Sequence, residues 1–157
     1  MKRRKLLFVM IAMILALAGC ALILQVDVYD DEEALARTSN TYRIIGQSVR
    51  IVNQNCVGSM QRFEGMNTLW TSTVSNDGSI DITYKLSVSG GKLKLVLITP
   101  DDAVTTLVEI TPDTTMEDYE TISVEVKKGE NRIKLVGSGA EKLNFDITIP
   151  IGEFHTS

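Results

Sequence analysis

The sequence has few of the residues that carry most enzyme chemistry. Its 157 residues include two cysteines, Cys20 and Cys56, and one histidine, His155. It has no paired Cys/His spacing typical of a zinc site, no phosphate-binding glycine loop and no Gly-x-Ser-x-Gly nucleophile elbow. These absences predict that the chain is not an enzyme and that it holds neither a metal ion nor a cofactor.

Positive charge is scarce beyond the first few residues. Residues 1–19 hold four of the 16 lysines and arginines and none of the 20 acidic residues, so the other 138 residues carry a net charge of −8. Nucleic acids and anionic lipid surfaces bind proteins through basic surfaces. We therefore expect neither of them to be a direct partner of residues 20–157.

The N-terminus has the three parts of an export signal. Lys2-Arg3-Arg4-Lys5 precedes an apolar run from Leu6 to about Ala18, and small residues follow. The segment Leu17-Ala18-Gly19-Cys20 resembles the lipobox of bacterial membrane lipoproteins. The resemblance implies that residues 1–19 are a signal peptide and that Cys20 is acylated and becomes the mature N-terminus. The chain would then be lipid-anchored on the extracytoplasmic face of the cell membrane, because two or more acyl chains hold a protein there stably.

Two other interpretations of the N-terminus stay open. The run from Leu6 to Leu24 is uncharged and 19 residues long, which suffices for an uncleaved hydrophobic helix that spans a bilayer. The chain would then be a single-span structural subunit of an envelope complex. Ala16-Leu17-Ala18 also fits ordinary signal peptidase, which would release the domain without an anchor. The lipoprotein and single-span interpretations both place the C-terminal body outside the cytoplasm, because basic residues precede the apolar run.

Residues 20–40 are predicted to be an acidic tether. Their cluster Asp30-Asp31-Glu32-Glu33 lacks the turn glycine and the spaced terminal glutamate of a calcium-binding loop. We therefore expect a solvated spacer with at most one helical turn.

Residues 41–152 have the periodicity of β-strands. Apolar and polar residues alternate without exception from Ile80 to Val88, and alternating segments follow at residues 92–98, 103–110, 121–127, 132–136 and 143–151. Val96 and Ile98 indicate that a second sheet face is covered near them. Residues 76–78, 90–91 and 128–131 have the composition of tight hairpin turns, and the last of these makes residues 120–149 resemble the closing hairpin of extracellular sandwich modules.

The pattern predicts an all-β fold, an antiparallel β-sandwich of immunoglobulin-like or jelly-roll topology. The sandwich would follow the N-terminal signal or anchor helix and would end in a short tail at residues 153–157.

Candidate ligand-binding residues are few. Sandwich modules that bind sugars expose two or three aromatic rings, and this chain offers only Trp70, Tyr84, Tyr119 and Phe63. Trp70 is the candidate we would inspect first, although a sandwich also needs a large aromatic residue in its core. Cys56 is expected to be a buried, inert thiol. The sequence therefore predicts a non-enzymatic lipoprotein whose sandwich binds another envelope component, either a protein or a glycan.

Overall fold

The computed structural model describes residues 28–156, of which most lie in strands. The helix α1 (Glu32–Ala36) and two short 3-10 helices (Val28–Asp30 and Pro112–Thr114) complete the elements, and no helix in this range could cross a bilayer. The strands are β1 (Thr41–Ile45), β2 (Ser48–Val52), β3 (Asn55–Val74), β4 (Gly78–Ser87), β5 (Gly90–Ile98), β6 (Val104–Ile110), β7 (Glu120–Val126), β8 (Gly129–Thr148) and β9 (Glu153–Phe154). Cys20 and the predicted signal segment lie outside the described residues.

The strands form one antiparallel sheet around two long strands, β3 and β8. These strands have 20 residues each and pair with each other along nearly their whole length. Half A of the sheet has the order β2-β3-β8-β4-β7 and uses residues 55–60 of β3 and 143–148 of β8. Half B uses the other ends of these two strands, with β5 and β6 beyond β8, and with β1 and β9 beyond β3.

The two halves fold over each other to make a β-sandwich. Inner-face side chains from both halves form one buried cluster, which includes Met60, Leu86 and Phe145 from half A and Trp70, Leu95 and Ile133 from half B. The described residues provide no other layer over this face, so each half must cover the other. The bend passes Gly65, whose φ of 101° and close approach to the Thr41 carbonyl exclude a Cβ atom.

The predicted alternation of buried residues is confirmed in β4 and at residues 143–149, whereas Ile151 is exposed and the predicted hairpins are wrong. Tyr84 in β4 is buried as its place in the alternation requires, and Val96 and Ile98 are buried on the second face of β5. The turns at residues 76–78, 90–91 and 128–131 do not join paired strands, because each lies where the chain crosses from one half to the other. The closing hairpin is absent for the same reason: β7 pairs with β4, whereas residues 132–136 and 143–148 belong to the single strand β8.

The N-terminal segment, residues 28–39, packs on the outer face of half B, where we expected a solvated tether. Tyr29 and Leu35 are buried there against Val96, Ile98 and Val136. Helix α1 begins after Asp31, whose carboxylate accepts a hydrogen bond from the Ala34 amide at 3.0 Å. The acidic side chains point to solvent, and the apolar residues on either side of them provide the packing.

Residues 153–154 are likewise part of the sheet, where we expected a tail. Strand β9 pairs with β3 at Trp70 and Thr71. The His155 amide then donates to the Leu69 carbonyl at 2.8 Å, and its Nε2 lies 2.8 Å from Thr71 Oγ1. The end of the described chain is therefore held against half B.

Lys134 makes the stability of the fold depend on pH. Its ammonium group lies under the N-terminal segment and donates to the carbonyls of Arg37 at 2.5 Å and Ser39 at 3.0 Å. Burial and the charge of Arg132 lower the pKa of Lys134 from 10.5 to about 8.

We expect the free energy of unfolding to rise as the pH increases from about 8 to about 10.5. Between these pH values Lys134 is deprotonated in the folded state and still protonated in the unfolded state. The free-energy cost of burying its charged ammonium group is therefore present in full below pH 8 and falls as the pH rises. The slope should approach about 1.4 kcal/mol per pH unit. Urea unfolding of the wild type and of Lys134→Met at several pH values measures this slope. An equal slope in both proteins would show that Lys134 is not its source.

Candidate functional site

Tyr119 is the most exposed aromatic side chain between residues 28 and 156. Its exposed fraction is 57%, against 42% for Tyr42, the next in order. It lies in the connection between β6 and β7, directly before β7 begins. This connection brings the ring to the outer face of half A.

The outer face of half A holds a groove of about 470 Å³ beside Tyr119. Two rows of side chains cross the adjacent strands β2, β3, β8 and β4 within it. The first row is Ser48, Ser59, Asn144 and Ser87, and the second row is Arg50, Val57, Asp146 and Lys85. We call this site the Tyr119 groove.

The strand register puts these rows on one surface. Side chains alternate between the two faces of a strand, and Leu86 and Phe145, which lie between the two rows in the sequence, belong to the core. Polar residues at alternate positions therefore line up side by side on the outer face. Asn144 links two of the strands, because its Nδ2 donates to Ser87 Oγ at 3.2 Å.

Hydrogen bonds hold the Tyr119 ring in place. Its hydroxyl donates to Asp146 Oδ2 at 2.6 Å, and this bond to a carboxylate raises the pKa of Tyr119. The other oxygen of Asp146 accepts from Asn55 Nδ2 at 2.7 Å. Lys85 donates to the Glu117 carbonyl, and its Nζ lies 5.8 Å from the centroid of the ring. The ring is therefore positioned before any ligand binds.

The site combines an aromatic face with neutral and charged hydrogen-bonding groups. The hydroxyls of the first row can both donate and accept, and the Asn144 amide offers both functions. In the second row, Arg50 makes no ion pair with any residue in the range 28–156. Such a surface suits a ligand with an apolar face and many hydroxyl groups.

Trp70 is placed in the core. It has no exposed surface, and its Nε1 donates to the Ile151 carbonyl at 2.7 Å. Phe63 and Tyr84 are also buried, with exposed fractions of 1% and 2%. In this conformation, only Tyr119 of the four aromatic candidates offers a ring to a ligand.

Cys56 and His155 would have to lie side by side to act as a nucleophile and its base, but they lie in different halves of the sandwich. Cys56 pairs with Ile51 and Ile147 in half A, whereas His155 contacts Leu69 and Thr71 in half B. Cys56 is fully buried, and burial together with the charge of Asp146 raises the pKa of its thiol to about 11. Within residues 28–156, no group of three Cys, His, Asp or Glu side chains could hold a metal ion.

We expect the Cys56 thiol to be unreactive in the folded protein. At pH 8 almost none of it is the thiolate that attacks a disulfide reagent, and the reagent cannot reach it. Ellman's reagent should react with the native Cys20→Ser variant at the rate at which it unfolds, and immediately after addition of urea. An immediate native reaction would show that Cys56 is accessible.

No protein-family model matches the chain, and no curated protein matches it. Several solved structures are similar over about 70% of its length. A mutant of the family 29 carbohydrate-binding module CBM29-2 is 17% identical over 71% of this chain and 77% of its own, with a TM-score of 0.41. A second CBM29-2 mutant, complexed with mannohexaose, is 15% identical over 71% and 93%, with a TM-score of 0.41. CBM35 from Paenibacillus barcinonensis is 14% identical over 73% and 99%, with a TM-score of 0.37. Identities and TM-scores this low do not establish a common topology or a common ligand.

Proposed function

We propose that this chain is a non-enzymatic, extracytoplasmic lipoprotein whose sandwich binds a glycan of the cell envelope in the Tyr119 groove. The observation that carries the proposal is the exposed Tyr119 ring, which is fixed by Asp146 beside two rows of mostly polar side chains. A sugar ring has an apolar face of C–H groups and a rim of hydroxyls. The tyrosine ring can stack against the apolar face, and the serine and asparagine side chains can form hydrogen bonds with the hydroxyl groups.

The groove favours binding without catalysis. Hydrolysis of a glycosidic bond generally uses two carboxyl groups, one on each side of the bond. Asp146 is the one carboxylate among the residues that line the Tyr119 groove, and both of its oxygens already accept hydrogen bonds. A bound glycan would therefore meet one carboxylate that already accepts two hydrogen bonds, and no second carboxyl group among the residues that line the groove.

The anchor in this proposal is the acylated Cys20. It is supported by the lipobox resemblance of residues 17–20 and by the basic and apolar segments before them. Residues 20–157 carry a net negative charge, so electrostatic attraction would not bind them to an anionic membrane. Attachment would therefore depend on the acyl chains.

Affinity electrophoresis tests the proposed ligand class. The purified chain is run through native gels that contain soluble β-glucan, mannan, xylan, polyuronate or peptidoglycan fragments, beside a protein that binds none of them. We expect at least one polymer to retard the chain, and the same polymer in solution to compete. Unretarded migration in every gel would contradict a glycan ligand and favour a protein partner.

A further inference from the structure

The N-terminal segment is fixed to the sheet by charge as well as by apolar packing. The Tyr29 ring lies under two ammonium groups, with Lys92 Nζ 4.0 Å and Lys94 Nζ 4.3 Å from its centroid. Asp30 forms ion pairs with both lysines at 3.5 Å. Lys94 is almost fully buried, so it would lose its partners if the segment left the sheet.

Two further cations hold the end of α1 and the residues that follow it. Arg132 donates to the Ala36 carbonyl at 2.8 Å, and Lys134 donates to the carbonyls of Arg37 and Ser39. Arg132 and Lys134 are themselves buried. The outer face of half B therefore supplies four cations to the segment, and the site where the chain enters the domain is fixed.

This entry site is on the opposite side of the sandwich from the Tyr119 groove. The inner faces of the two halves pack on each other, so their outer faces point in opposite directions. The segment covers the outer face of half B, and the groove lies on the outer face of half A. The thickness of the sandwich separates them.

The connection to the predicted lipid is short. Val28 follows Cys20 by eight residues, which reach at most about 27 Å when fully extended. A domain of this size has a diameter of roughly 35 Å. With the segment docked, the connection cannot pass around the sandwich and turn the groove to the membrane. If the segment were released, the connection would extend to about residue 40 and would allow this rotation.

We infer that the docked segment orients the sandwich, with half B toward the membrane and the Tyr119 groove away from it. The inference rests on the proposed acylation of Cys20. It narrows the ligand to a polymer that lies beyond the membrane surface, and it excludes the lipid headgroups of the membrane that holds the chain.

Fluorescence quenching tests the orientation. The lipidated protein, carrying Cys56→Ala, is reconstituted into vesicles whose headgroups bear a nitroxide quencher. One fluorophore is attached at Asp102→Cys, beside Arg132 on the half B side, and in a second sample at Ser87→Cys in the groove. We expect quenching at least threefold stronger at position 102 than at position 87.

A variant of the segment provides the second arm. Tyr29→Ser removes the ring under Lys92 and Lys94, and we expect the difference between the two positions to shrink or vanish. Tyr42→Ala, which alters an exposed tyrosine outside the segment, should leave the difference intact. Equal quenching in the otherwise unchanged protein, or stronger quenching at position 87, would overturn the inference.

The outcomes also separate this inference from the proposed function. A protein that carries lipid, binds glycan on the vesicle and shows equal quenching would overturn the orientation alone. A protein that carries no lipid at Cys20 would overturn the anchor and the orientation together, and intact mass detects this before any quenching is measured.

Discussion

Replacing Tyr119 by alanine should weaken glycan binding at least tenfold without unfolding the domain. The ring is the main exposed apolar surface of the groove, and stacking against a ligand is worth about 1.4 kcal/mol or more once the area it buries is included. A loss of 1.4 kcal/mol corresponds to a tenfold change in affinity. Because the side chain is mostly exposed, its removal leaves no cavity in the core.

Two matched variants define what Tyr119 contributes. Tyr42→Ala removes an exposed tyrosine from β1, outside the groove, and its affinity should equal that of the wild type. Tyr119→Phe keeps the ring and removes its hydrogen bond to Asp146, so we expect a smaller loss, of about two- to fivefold. Titration calorimetry with the polymer that retards the chain measures the affinities of Tyr119→Ala, Tyr119→Phe and Tyr42→Ala. Wild-type affinity in Tyr119→Ala would exclude the groove as the site.

Replacing Cys20 by serine should abolish attachment of the lipid completely. A hydroxyl group is not the thiol to which the lipid is attached, so neither acylation nor the cleavage that follows it would occur. The variant would keep Met1 and would stay in the membrane through its uncleaved apolar run from Leu6 to Leu24, so membrane retention alone cannot report the loss of the lipid. Labelling with a palmitate analogue and intact mass measure the change, and a labelled Cys20→Ser chain would contradict acylation at this residue.

Intact mass distinguishes the three interpretations of the N-terminus. An acylated chain that begins at Cys20 supports the lipoprotein. A chain that keeps Met1 and carries no lipid would instead support a single-span subunit with residues 6–24 uncleaved. A chain without lipid that begins at Gly19 would indicate ordinary signal peptidase and a free domain.

The sequence predicted well which face of a strand is buried, and it predicted poorly which strands pair with each other. Alternation from Ile80 to Val88 identified the buried face of β4, and the outward Val96 and Ile98 correctly indicated a covered second face. Turn residues, however, specify only a local backbone conformation. Gly91 and Gly129, with φ of 67° and 116°, allow a sharp change of direction, whether the next strand pairs with the last or crosses to the other half.

The N-terminal segment could have been found by asking what covers Val96 and Ile98. Its acidic cluster suggested a solvated spacer, because four carboxylates follow one another at residues 30–33. Tyr29 and Leu35 nevertheless stand on either side of that cluster, and both are buried. Their contacts with β5 and β8 depend on tertiary packing, which local composition does not report.

The Tyr119 groove could not be found from the sequence. Tyr119 was one of four aromatic candidates, but it lies outside any alternating pattern and next to acidic residues, so no periodicity showed that its ring would be the exposed one. The polar rows come from four strands that are distant in the chain. Ser59 and Asn144 meet only because of the register between β3 and β8, and Ser87 joins them through β4.

The most direct test of the account is a map of the surface that a glycan touches. Amide chemical shifts of the isotopically labelled chain are followed by NMR while the polymer identified by electrophoresis is titrated. We predict the largest changes around Tyr119, Ser59 and Asn144, with little change in the N-terminal segment. Changes confined to half B, or at the edges formed by β6 and β7, would contradict the account.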